Sequence, residues 1–294
     1  MNILCAVDGS QYSQWALGAC TRLQFPSDSM LMLLHVVNVD RFTAGAEIGT
    51  SARNAMRKGL HLAERGGHAL LERSHAAVAS GFDAVQAKMV RGRPAEAITR
   101  TAVRQESDLV VVGSRGLTEF RPFLLGSVSR RVVMHAPCSV LVVKKRMTSF
   151  KQVIIGVDGS KDAQSAVDFI LRLSPTEELR MMVVSVVPPL PIETSPASAS
   201  LAALLEQVRR PMEENARKVA ERTAEHIRAA GFEVTAMVAH GHIGHQIVDL
   251  AASAKADLVV VGSRGLTGTS RYLMGSVSDA VVKYAPCPVL VVRR

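Results

Sequence analysis

Residues 107–145 align without gaps on residues 256–294 and match at 25 of 39 positions. The same offset of 149–150 residues carries Val7-Asp8-Gly9-Ser10 onto Val157-Asp158-Gly159-Ser160. It also carries Gly81-Phe82 onto Gly231-Phe232 and Ala136-Pro137-Cys138 onto Ala285-Pro286-Cys287. An internal repeat of this length restricts the fold more than composition does, because each copy is a complete unit with a core of its own. The chain therefore reads as two homologous domains, residues 1–147 and 148–294, joined by a short polar segment near Lys144–Phe150.

Within each copy, apolar runs alternate with helix-length amphipathic stretches. The first half predicts strands at Asn2–Val7, Met30–Val37, about Ala84–Val90, Leu109–Val112 and Ser139–Val143. Helices are expected near 11–24, 52–80, 94–106 and 127–135. Ser10 and Ser160 stand where helix N-caps belong, and Pro94 stands near a first helical position. The second half repeats the pattern, with strands near 152–157, 180–187, 233–239, 258–261 and 288–292. Continuous apolar strands are covered on both faces, which implies parallel sheets between layers of helices. The fold class is α/β: two tandem doubly wound domains, each a five-stranded parallel sheet of order 3-2-1-4-5 with helices on both faces.

The copies agree best around Gly113-Ser-Arg-Gly116, followed by Gly126-Ser127, and Gly262-Ser-Arg-Gly265, followed by Gly275-Ser276. A strand ending in Gly-x-x-Gly, then a loop, then a helix opened by Gly-Ser, has the layout of an anion cradle. Asp8 ends strand one and Gly113 ends strand four, so the two flank the crevice at the switch point of the sheet. A carboxylate that accepts from an amino or hydroxyl group, set beside a phosphate cradle, is a nucleotide-shaped pair of features. The loops Asn38–Thr50 and Pro188–Ser200 leave the same edge, either as lids or as plain connections.

Val-Asp-Gly-Ser, then Gly-x2-Gly-x9-Gly-Ser, then Ala-Pro-Cys-x-Val-Leu-Val-Val resembles the universal stress protein family in its tandem two-domain form. The resemblance spans essentially the whole chain. It implies the ATP-binding subclass, with two ATP sites per chain and magnesium or manganese accompanying the phosphates. By position, Asp8 and Asp158 would touch the adenosine end, and Val36 and Val186 would meet adenine through their backbones. Gly113 and Gly262 would lie by the ribose. Gly116, Gly126, Ser127, Val128 and Ser129 would hold phosphates, as would Gly265, Gly275, Ser276, Val277 and Ser278. Arg115 and Arg264 would either pair with phosphate or only brace the loop. The resemblance also implies that the apolar last strands pair across a two-fold axis. The tandem chain would satisfy this internally as a pseudo-dimer, with a homodimer of chains as a further expectation.

The copies differ beside the cradles. His35 corresponds to Ser185, and Arg91-Gly92-Arg93-Pro94 becomes His240-Gly241-His242-Ile243. A permanently cationic strand exit in one domain and a near-neutral one in the other predict a second site that is weaker or more pH-sensitive. ATP titrations at two pH values test this. His240, His242 and His245 lack a cysteine or carboxylate to complete a zinc site, so no metal site is expected there.

No Gly-x4-Gly-Lys-Ser/Thr, Gly-x-Ser-x-Gly or paired acid arrangement is present. No catalytic residue is therefore expected, and the leading reading is a nucleotide-dependent sensor acting through conformation or association. A slow ATPase or nucleotide-handling enzyme is the alternative, with a nucleic-acid or polyanion binder as a third. The net charge of +9 falls as +8 on residues 1–147 and +1 on the rest. Those cations are scattered and poor in interleaved aromatics, so nucleic acid is not the expected partner. No apolar run reaches the roughly 18 residues that span a bilayer. The N-terminus begins in a strand pattern instead of a signal sequence, and the four cysteines show no framework spacing. A cytoplasmic protein with reduced thiols is expected.

Overall fold

The structure is a computed structural model and describes residues 1–40, 50–117, 125–173, 178–190, 199–266 and 274–294. The chain divides into two compact units, Met1–Ser149 and Phe150–Arg293. The first unit begins with β1 (Asn2–Ala6), α1 (Gln11–Arg22), β2 (Met30–Val37) and α2 (Thr50–Val78). It continues with β3 (Ala84–Arg91), α3 (Pro94–Arg104), β4 (Leu109–Gly113), α4 (Ser127–His135) and β5 (Ser139–Val143). The second unit begins with β6 (Gln152–Gly156), α5 (Lys161–Arg172), β7 (Arg180–Val187) and α6 (Ala199–Ala229). It ends with β8 (Glu233–His240), α7 (Ile243–Ser253), β9 (Leu258–Gly262), α8 (Ser276–Tyr284) and β10 (Val289–Val292).

Strand order is β3-β2-β1-β4-β5 in the first unit and β8-β7-β6-β9-β10 in the second. The pairings within each unit are parallel. This is the expected 3-2-1-4-5 order, present twice. Central strands are apolar throughout because helices cover both faces. Leu4, Cys5, Leu109, Val110, Val111 and Leu141 are fully buried, as are Ile154, Ile155 and Val260. The edge strand β3 instead exposes Gln86, Ala87 and Lys88, and a charged side chain on an edge discourages further pairing.

Local rules place the helices. Ser10 caps α1 by accepting the Ser13 amide at 3.2 Å, and Ser160 caps α5 by accepting the Ala163 amide at 3.1 Å. Pro94 opens α3, where its missing N–H removes no intrahelical bond. β1 ends at Ala6, yet Val7 still donates to the Leu34 carbonyl at 2.9 Å. Residues 41–49 and 191–198, the bulk of the two segments read as lids, lie outside the described residues.

Candidate functional site

β1 pairs with β2 on one side and β4 on the other, so the crevice opens above the end of β1. Asp8 sits there. Its Oδ1 accepts the Ser10 amide at 2.9 Å, and the Asp158 Oδ1 accepts the Ser160 amide at 2.9 Å. A Cβ on Gly116 would lie 2.8 Å from the Asp8 Oδ2, and one on Gly265 would lie 2.6 Å from the Asp158 Oδ2. The second glycine of each Gly-x-x-Gly therefore makes room for the aspartate. In the second unit the Leu266 amide also donates to the Asp158 Oδ2 at 3.1 Å.

The first glycine of each loop has a different reason. A Cβ on Gly113 would lie 2.6 Å from the Tyr12 carbonyl carbon, and one on Gly262 would lie 2.7 Å from that of Asp162. The first turn of α1 or α5 packs directly onto the end of the neighbouring strand. Whatever ligand contact Gly113 and Gly262 make is therefore through main-chain atoms.

At the helix end of the cradle, Gly126 donates to the Ser114 carbonyl at 2.8 Å and Gly275 to the Ser263 carbonyl at 2.9 Å. Both glycines have φ near −65° (−64° and −66°), which any residue adopts. A Cβ on Gly275 would meet only ordinary contacts at 3.5 Å and beyond. The protein's own packing does not require that glycine. Ser127 and Val128 are exposed at the start of α4, where helix geometry leaves amides without an intrahelical acceptor. Ser276 and Val277 occupy the same places on α8. Ser129 differs: its hydroxyl is buried and donates to the Ser114 carbonyl at 2.7 Å. The Ser278 hydroxyl donates to the Gly262 carbonyl at 2.7 Å. These two hydroxyls brace the loop.

Val36 and Val186 are placed by strand parity. Leu34 accepts from Val7 on the β1 side, whereas Val37 accepts from Gly92 on the β3 side at 3.1 Å. Alternation then turns the Val36 N–H and C=O toward the space beyond the end of β1. Val184 accepts from Val157 and Val187 from Gly241, so Val186 is turned in the same sense. His35 closes the end of β1 through Nδ1, 2.8 Å from the Val7 carbonyl.

Asp8, Val36, Gly113, Arg115, Gly116, Gly126, Ser127, Val128 and Ser129 all line one cleft of about 780 Å³. A cleft of this size falls within the range that holds small-molecule ligands. Arg93 and Arg131 also line it. In the second unit a cleft of about 650 Å³ lies elsewhere, between the end of β7, Leu205–Met212 of α6 and His240. It includes none of the nine equivalent residues.

The loop arginines are set differently. The Arg115 guanidinium lies over the Tyr12 ring, 4.9 Å from its centroid. Its Nε is buried and has no hydrogen-bond partner among the described residues. Arg264 instead donates to Asp162 from Nε at 3.0 Å and Nη2 at 3.2 Å. Neither Tyr12 nor Asp162 was among the expected site residues, because each lies about a hundred residues from the loop it meets.

The strand exits are less unlike in charge than their sequences imply. Arg91 pairs with Glu64, and Arg93 pairs with Asp40 at 3.0 Å and Glu96 at 3.5 Å. The hydrogen bond from Arg91 holds the Glu64 carboxyl below its usual range, and that to Asp40 raises the Arg93 guanidinium. In the second unit His240 lies 3.6 Å from Glu213, and the His242 and His245 rings are 5.7 Å apart. Among the described residues no three His, Cys, Asp or Glu side chains are grouped to hold a metal ion.

A family model described as the universal stress protein family matches residues 1–144 and again 149–293. The chain belongs to the universal stress protein family. A universal stress protein of Thermus aquaticus is 32% identical over 142 residues, which is 48% of this chain and 97% of that protein. One from Methanocaldococcus jannaschii is 29% identical over 153 residues, 52% of this chain and 88% of the relative. Each of these relatives thus corresponds to one of the two universal stress domains. Among solved structures, a universal stress protein from Archaeoglobus fulgidus superposes with a TM-score of 0.64 at 22% identity. That match covers 100% of this chain and 96% of the other, so the fold agrees along both universal stress domains. No helix among the described residues is long and apolar enough to cross a membrane.

Proposed function

We propose that the protein binds ATP, one adenine nucleotide per domain, and acts in a cytoplasmic stress response through nucleotide-dependent conformation or association. The observation that carries this reading is the first-unit cleft. Nine residues of the nucleotide-binding pattern line one cavity, and Arg115 among them has a buried Nε with no hydrogen-bond partner among the described residues. Main-chain groups of Val36 are turned to meet adenine, and the glycine loop with the start of α4 takes the phosphates. Asp8 is held beside them by Ser10 and Gly116. Magnesium or manganese would be held by phosphate and water, with Asp8 a carboxylate lining the same cleft. The ion would supply neutralisation of phosphate charge. An intrachain pseudo-dimer formed by the apolar last strands and, beyond it, a homodimer of chains are part of the proposal, and light scattering on a sizing column tests the homodimer.

The decisive experiment is to denature purified full-length protein and identify what it releases by mass and ultraviolet spectrum, then titrate the emptied protein with ATP. Adenine nucleotide is expected. Arg115→Ala should weaken ATP about tenfold to a hundredfold, the worth of a hydrogen bond to a charged group. Release of no adenine compound, together with no ATP binding, would overturn the reading. Turnover of labelled ATP separates sensing from slow hydrolysis.

A further inference from the structure

The two loop arginines are equivalent in sequence and chemically opposite in setting. Around Arg115 the contact surface is the neutral Tyr12 ring, and its buried Nε lacks a partner among the described residues. At the Tyr12 position the second domain carries Asp162, in the first turn of α5. Its carboxylate is buried and accepts three hydrogen bonds, two from Arg264 and one from the Ser263 hydroxyl at 2.8 Å. The difference continues along the cradle. Arg130 and Arg131 of α4 become Asp279 and Ala280 of α8, and Arg93 becomes His242. Asp279 in turn pairs with Lys283.

These settings respond differently to a polyphosphate. A guanidinium on an aromatic face keeps its full charge and can turn an unsatisfied N–H toward an anion. Arg264 keeps only the donors that Asp162 does not use, and the carboxylate already offsets its charge; turning the Nε–Nη2 edge to a phosphate instead would strip a buried carboxylate of its counter-charge. A phosphate group brought beside the intact pair also meets Asp162 as a like charge. The adenosine end is free of this conflict: Val186 and the Asp158 Oδ1 repeat the geometry of Val36 and the Asp8 Oδ1, and the added bond from the Leu266 amide to the Asp158 Oδ2 brings no opposing charge.

We propose that Asp162 makes the second domain a nucleoside site, which holds the adenosine portion and draws little affinity from phosphates. The first domain is then the polyphosphate site. This inference rests on the adenine-nucleotide reading above and assigns the two domains different ligand classes. Asp162 is a specificity-determining residue in this account. A merely structural acid at a helix N-terminus would support α5 without altering the selectivity of the cleft.

The test uses the full chain with magnesium, titrated calorimetrically with ATP and separately with adenosine. In the wild type, two classes of site are expected. The adenosine-to-ATP ratio of dissociation constants should be about a hundred or more at one class and below about five at the other. Asp162→Asn, which keeps the shape and removes the charge, should raise the low ratio about tenfold. Tyr12→Asp should lower the high ratio by a similar factor, and the variant that moves each class assigns it to its domain. Two sites with equal ratios, or an Asp162→Asn ratio unchanged while the protein stays folded, would overturn the inference and leave the ATP reading standing. Binding of neither ATP nor adenosine by the wild type would overturn both.

Discussion

His35 and Ser185 hold equivalent places on β2 and β7, and the difference in size is compensated in the helix above. A Cβ on Gly67 of α2 would lie 2.6 Å from the His35 Cδ2 and 2.9 Å from the Met89 Sδ. The offset of 149 that sets Leu70 over Gly9 and Val219 over Gly159 puts Ala216 at the Gly67 position. One copy thus combines an imidazole with a bare α-carbon, and the other a hydroxymethyl with a methyl. Gly67→Ala should destabilise the protein by about 1–3 kcal/mol through overpacking, although alanine is the better helix former by about 1 kcal/mol. In a His35→Ser background the same change should be neutral or stabilising. Chemical denaturation of the four proteins as a double-mutant cycle measures the coupling, and equal effects in both backgrounds would reject the account.

At the scale of elements, the cradle is a strand and a helix start tied together by serine hydroxyls. The Ser129 hydroxyl bridges α4 to the Ser114 carbonyl, and Ser278 does the same from α8 to Gly262. Ser129→Ala should cost about 0.5–1.5 kcal/mol, the net worth of a buried hydrogen bond, because the Ser114 carbonyl keeps its bond from the Gly126 amide. Ser127 lies exposed at the same helix start, so Ser127→Ala should cost less stability than Ser129→Ala. Thermal denaturation of the two variants makes the comparison, and equal losses would count against the bracing role.

Most elements were legible in the sequence to within one or two residues. β2, α4 and β5 begin and end where the apolar runs and the Gly-Ser start place them. Local chemistry sets such boundaries: a serine cap, a proline at the first helical position, an apolar strand bounded by glycine. The reasons behind the site glycines were not legible. Gly113 makes way for the backbone of α1, and Gly116 for the carboxylate of Asp8. Those contacts, like Arg115 on Tyr12 and Arg264 on Asp162, join residues about a hundred positions apart. A single sequence shows the residue types involved and gives no sign of which ones meet.

At the scale of the whole molecule, surface charge should make stability depend on acid. Glu64 is held below its usual range by Arg91, Glu178 by Lys151, Glu206 by Arg209 and Arg210, and Glu214 by Lys218. A carboxylate depressed in the folded state contributes stability above its unfolded value, and loses it as pH falls through the folded one. Glu178 and Glu214 are open to solvent, Glu64 and Glu206 are half-buried, and the cationic partners of all four are exposed, so each contribution is small and screened by salt. Protonation also adds to a chain that already carries +9, which increases self-repulsion in the same direction. The melting temperature should therefore fall steadily below about pH 4.5, and the fall should flatten in about 1 M salt, where the screening length is about 3 Å. Three of the four carboxylates lie in Phe150–Arg293, so the pair contribution should be largest there. Hydrogen exchange at low and high salt resolves the two units. An acid-induced loss indifferent to salt would place its origin in buried groups instead of these surface pairs.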